Sequence, residues 1–295
     1  MATREVSPGS QSVLKLRVWM SERLFGLAPA WALLAGALST GGLHWRREEI
    51  LLLVGSVLLV DGLWGQLWTQ LAGQTTEPSD SVEGQAGLVA PLPYAAPGSP
   101  LSNLWRWLVG SRGEKVGRQP AAGWRALLLS CLLTSGVALL LGPIAVLLSA
   151  MAALLAAAAR FIPHRTFAHR LAQGLFEMGL PWLLAHLVFG GLLQPGWPLL
   201  IAVDYVLLHA GALSLRSRRG LWLINLAQFV PLVSLITARQ PFLSTAFSIT
   251  VLAPLSWQAW LGRADGGGLS LGRYREVAQI WWWAGMLVTA WGIGR

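Results

Sequence analysis

The sequence predicts an all-α polytopic membrane protein, and three observations carry that prediction. Hydrophobic residues make up 54% of the 295-residue chain against 12% charged, with a mean hydropathy of +0.54. Apolar runs of roughly 17–25 residues, enough to cross ~30 Å of hydrocarbon, recur from one end to the other. The basic residues gather in the segments between those runs rather than inside them. Helices satisfy their own backbone groups in lipid, and the runs are continuous rather than alternating, so helices are expected and a transmembrane barrel is not.

Residues 1–23 form a polar to amphipathic segment whose LKLRVWMSERLF stretch suits a short interfacial helix, with Trp19 at headgroup depth. No signal peptide is expected, because the first apolar run lacks a small-residue cleavage pattern after it. Nine spans follow, at about 24–43, 50–71, 124–141, 143–159, 171–193, 197–215, 221–237, 242–261 and 277–293, together forming one membrane domain over 24–295. Pro143, Pro195, Pro198 and Pro241 fall near span edges, where helices break most easily. Residues 72–123 make the one long loop. Its first half is rich in Gly, Pro and Ser, and its second mixes two Trp with basic residues, a composition for a membrane surface.

Placing the N-terminus in the cytoplasm puts 1–23, 72–123, 160–170, 216–220 and 262–276 on that side. Of the 22 Lys and Arg residues, 18 then lie in or beside those segments, and only Arg46, Arg47, Arg239 and Arg295 lie opposite. The positive-inside rule asks for this asymmetry, and the expected location is a bacterial-type plasma membrane. The net charge of +9 therefore reports topology, and no nucleic-acid partner is expected. Cys131 is the single cysteine and lies in an apolar run, so no disulfide or cysteine metal site can form within one chain.

The second span carries the residue that draws attention. Asp61, Trp64 and Trp68 fall at i, i+3 and i+7, which on an α-helix is one face. An acid in a membrane span suggests a functional site by default, with a helix-end acid paired to a loop Arg as the alternative. The two Trp suit a cavity wall, with plain packing or an interfacial anchor as the alternative. Glu177 and Asp204 are further intramembrane acids, able to pair with His209 or His186 in a buried polar cluster. Ligation of a haem or chlorin metal by His186 and His209 is a weaker alternative. His164 and His169 lie among Arg160, Arg165 and Arg170, so that loop either holds a phosphate or anionic lipid or simply sets topology. Arg216, Arg218 and Arg219 read the same way. The run Trp281-Trp282-Trp283 cannot face one direction on a helix, so a belt at the membrane surface is expected.

Several stretches together resemble the UbiA superfamily of intramembrane prenyltransferases. LVDGLWGQLW stands where that family has its first aspartate-rich motif, N-D-x-x-D-x-x-x-D. GRQPAAGWRALLL is similar to its R-P-x-x-x-G stretch at Arg118, Pro120 and Gly123. RFIPHRTFAHRLAQGLFEMGLPWLLAHLVFGG is similar to its basic loop and Gly-rich fifth helix. The resemblance implies a helical bundle around a central cavity, an isoprenoid diphosphate substrate and an aromatic, quinone or tetrapyrrole acceptor. It also implies Mg²⁺ held by carboxylates, with Arg118, Arg165, His169, Arg170 and Arg216 as candidate diphosphate ligands. The chain departs from the motif at the acids: Val60 replaces the Asn, and Trp64 and Trp68 replace the second and third Asp. The second motif has no acid between Ala210 and Gly220, leaving His209 and the deeper Asp204 nearest to it. Asp61 alone is a poor site for hard Mg²⁺. The expectation is a prenyltransferase-like fold with degraded catalysis; the alternative is a non-catalytic holder of a lipid, quinone or pigment, or a subunit of a larger membrane complex. A transporter is a third and weaker reading.

Overall fold

The computed structural model describes residues 28–41, 43–72, 120–164, 166–190, 196–215, 218–264 and 271–295. Among these the chain is all-helical, with no strand, and runs as nine helical rods. They are α1 (Ala28–Leu38), α2 (Arg47–Leu71), α3 (Pro120–Leu141), α4 (Pro143–Ala159) and α5 (Phe167–Val188). They continue with α6 (Trp197–Leu213), α7 (Arg218–Ala227 and Phe229–Thr237), α8 (Pro241–Ala264) and α9 (Leu271–Ile293). Three stretches among the described residues, Arg47–Leu71, Phe167–Val188 and Gly220–Thr237, are long and apolar enough to cross a membrane. The N-terminal segment 1–23 and nearly all of the loop 72–123 lie outside the described residues.

Local chemistry explains where the rods start and bend. At the start of α2 the Glu49 side chain accepts from the backbone N–H groups of His44 and Arg46, at 2.7 and 3.4 Å. Glu48 and Glu49 also place negative charge at the positive end of the helix dipole. Thr166 caps α5, its hydroxyl accepting from the His169 N–H at 3.3 Å. Pro143, Pro198 and Pro241 all sit in the first turn of their helices, where a missing N–H costs nothing. Two rods contain a wide π-helical turn, Leu58–Trp64 in α2 and Leu175–Gly179 in α5. In α5 the cause is visible: Pro181 brings no N–H to the Glu177 carbonyl four residues back, and its ring pushes that carbonyl away.

Each rod packs on the next in chain order, and α9 returns to α1. The most extensive helix contact joins α1 to α5, partners far apart in sequence. Gly36 permits it, because a Cβ there would run into the Trp182 carbonyl. These two helices lie between two packed cores. One gathers Leu33, Trp64, Trp68, Phe176 and Leu184 with a set of alanines from α1, α3, α4 and α5. The other gathers Trp182, Tyr205, Tyr274, Trp282 and Trp283 from α5, α6 and α9. The outward surface is apolar in turn: Leu140 and Phe161 are 86% exposed and Phe242 82%. Greasy side chains facing out all round a bundle are what a lipid solvent requires and water does not.

The tryptophan run departs from the expected surface belt. It lies in the middle of α9, and Trp282 and Trp283 are buried in the second core. The helix begins six residues before the apolar run does, which moves the run away from its end.

Candidate functional site

Each of the two π-helical turns carries an acid, Asp61 in α2 and Glu177 in α5. A π turn widens the helix locally, and such turns cluster at functional positions. Around the first, Trp64 and Trp68 are buried against Phe176, with ring centroids 6.3 and 4.6 Å apart. The Trp64 indole N–H donates to Ser149 Oγ on α4 at 3.0 Å. Trp68 also meets the His169 ring at 6.0 Å, and His169 in turn stands edge-on to His164, their nitrogens 3.2 Å apart. Asp61 is buried on the same turn. Trp64 and Trp68, four residues apart, thus form a packed aromatic block on Phe176 of α5.

Around the second turn the geometry is polar. His209 Nε2 of α6 donates to Glu177 Oε2 at 2.7 Å, and Gln173 Nε2, one turn earlier on α5, donates to Glu177 Oε1 at 2.9 Å. The Arg275 guanidinium of α9 acts on the same carboxylate electrostatically. His209 is buried and Glu177 is 22% exposed, so the acid is the accessible member. One carboxylate thus joins α5 to α6 and stands within electrostatic reach of α9. The pairing of Glu177 with His209 is one of the partnerships the residue types suggest, and Gln173 is readable by its i,i+4 spacing. Arg275 lies in a segment that sequence treats only as a basic loop.

The remaining predicted residues divide. Asp204 is buried in the second core, and its Oδ2 has no hydrogen-bond partner among the described residues. His186 pairs with Ser39 at 2.9 Å; since that hydroxyl donates to the Gly36 carbonyl at 2.7 Å, the imidazole is the donor to it. That bond joins α5 to α1 and leaves His186 apart from His209. Arg170 is placed at the start of α5, next to His169. Arg118, Arg165 and Arg216 lie outside the described residues. Among the described residues no three of His, Cys, Asp and Glu come close enough to hold a metal ion, so Asp61, Glu177 and Asp204 are not brought together as Mg²⁺ ligands. No family model, curated protein or solved structure matches this chain.

Proposed function

We propose that the chain is a nine-span membrane protein with its N-terminus in the cytoplasm, prenyltransferase-like in plan, that works by binding rather than by catalysis. Its ligand is an apolar membrane molecule of the lipid, quinone or pigment kind, held alone or within a larger membrane complex. The observation that carries this reading is the fate of the acid positions. Trp64 and Trp68 occupy places where the resembled family has metal-binding aspartates, and both rings are buried on Phe176. A hard cation needs several oxygen ligands, and an indole offers none.

The test is binding of a farnesyl diphosphate analogue to the detergent-purified chain, with and without Mg²⁺, and with Asp61→Ala as control. The expected result is no Mg²⁺-dependent binding, together with a stoichiometric apolar ligand or partner that co-purifies. Binding that requires both Mg²⁺ and Asp61 would overturn the reading in favour of a prenyltransferase acting on an isoprenoid diphosphate. That second reading is favoured by one feature, the placement of both Asp61 and Glu177 on π-helical turns.

A further inference from the structure

At mid-length, α6, α7, α8 and α9 leave a small cleft between them, with room for about one water-sized group. Tyr205 is the central residue of Trp197–Leu213, Gln228 lies at the centre of Gly220–Thr237, and Trp282 is the central residue of Leu271–Ile293. Thr250 and Val251 come from near the middle of α8. The cleft therefore sits at one depth, that of the hydrocarbon midplane if these helices span the bilayer.

Its walls are apolar but carry polar atoms without partners. Gln228 is buried; its Nε2 donates to the Ile224 carbonyl at 3.2 Å, and its Oε1 has no partner among the described residues. The Trp282 indole N–H, also buried, has none either. Helix α7 is interrupted at Gln228, and Pro231 brings no N–H to the Ala227 carbonyl. Interrupted backbone at membrane depth is tolerated where it is covered by protein or lines a cavity. One acceptor and one donor, Gln228 Oε1 and the Trp282 indole N–H, thus remain on residues that line one small volume.

We propose that this cleft binds the hydroxyl end of a lipid-soluble alcohol, with the chain leaving past Trp281 and Val251 towards the bilayer. A hydroxyl donates one hydrogen and accepts another, so it matches both Gln228 Oε1 and Trp282 Nε1. An ester or quinone carbonyl would answer only the indole, and an alkane neither. The inference rests on reading the chain as a ligand-binding membrane protein and names a place in it away from Asp61.

The test is photolabelling of the full chain in phosphatidylcholine nanodiscs with hexadecanol carrying a diazirine near its hydroxyl, with the labelled peptides mapped by mass spectrometry. Saturable labelling near Phe247, Val251 or Trp281, displaced by hexadecanol but not by hexadecane, is expected. Trp282→Phe keeps the ring and loses only the N–H, and Gln228→Leu loses the acceptor; each is expected to weaken binding about fivefold, the worth of one hydrogen bond. Labelling displaced equally by hexadecane, or absent with wild-type protein, would overturn the site and leave a buried water as its occupant. The wild-type competition needs no variant to fold. If a co-purified apolar ligand persists while the alcohol fails, the cleft is wrong and the binding reading stands. Mg²⁺-dependent binding of a diphosphate analogue without alcohol labelling would overturn both.

Discussion

The two cores that share α1 and α5 use their polar groups differently. On the α2–α4 side, buried polar side chains join one helix to another: Trp64 to Ser149 and Gln70 to Ser130, at 3.0 and 3.3 Å. On the α6–α9 side, Asp204 Oδ2, Gln228 Oε1, Gln279 Oε1 and the indoles of Trp282 and Trp283 have no hydrogen-bond partner among the described residues. The first core has unpartnered atoms too, Ser56 Oγ, Gln70 Oε1, His169 Nδ1 and the Trp68 indole among them. The difference is one of degree: the second half leaves more of its buried polar atoms unbonded among the described residues.

The strongest way to break this contrast is to empty the first core. Trp64→Ala is expected to lower stability by about 3–5 kcal/mol, read as thermal unfolding in detergent, because a large buried ring leaves a cavity. Trp64→Phe keeps most of the ring and should cost about 1 kcal/mol, the bond to Ser149. Trp282→Phe, by contrast, removes an N–H with no partner among the described residues and should change stability by less than about 0.5 kcal/mol. Equal losses for the two Phe variants would sink the distinction.

Glu177 belongs to neither pattern, since it joins α5 to α6 and to the charge on α9. Glu177→Leu removes the acceptor that the buried His209 Nε2 bonds and should destabilise by about 1.5–3 kcal/mol, the range for hydrogen bonds to a charged group. Adding His209→Leu should recover part of that loss, and a strictly additive double variant would show that the pair is not coupled. The shared wall comes next. Gly36→Ala drives a methyl into the Trp182 carbonyl and should cost about 1–3 kcal/mol, with both cores loosening together in hydrogen exchange.

How much of this was legible in the sequence differs by level. The rods were, because apolar length and proline position act locally: Pro143–Ala159 coincides with its predicted run. The wide turn at Glu177 could have been suspected from Pro181, whereas nothing comparable marks the one at Asp61. The Asp61–Trp64–Trp68 spacing assumed an α-helix throughout, and a π turn alters the angle between the first two while leaving the Trp pair in register. Asp204 and Glu177 look alike as lone acids in apolar runs, and only the neighbouring helices decide that one finds His209 and the other leaves Oδ2 bare. The cleft was invisible for the same reason, being made of single residues from the centres of four helices. Its one local trace is the break at Gln228 followed by Pro231.

The wall of α1 and α5 also has a consequence for synthesis. Ser39 and His186 are 147 residues apart in the chain. At the usual ~5–20 residues per second, α1 would wait about 7–30 s before its main partner leaves the ribosome. Through that interval its small-residue face, Ala28, Ala32, Ala35 and Gly36, has only the flanking helices and the insertion machinery for company. If the chain inserts into a bilayer as proposed, biogenesis should be most sensitive at α1: ribosome-bound chains stopped before α5 are expected to keep that helix crosslinked to the translocon, and chains extended past Val188 to release it.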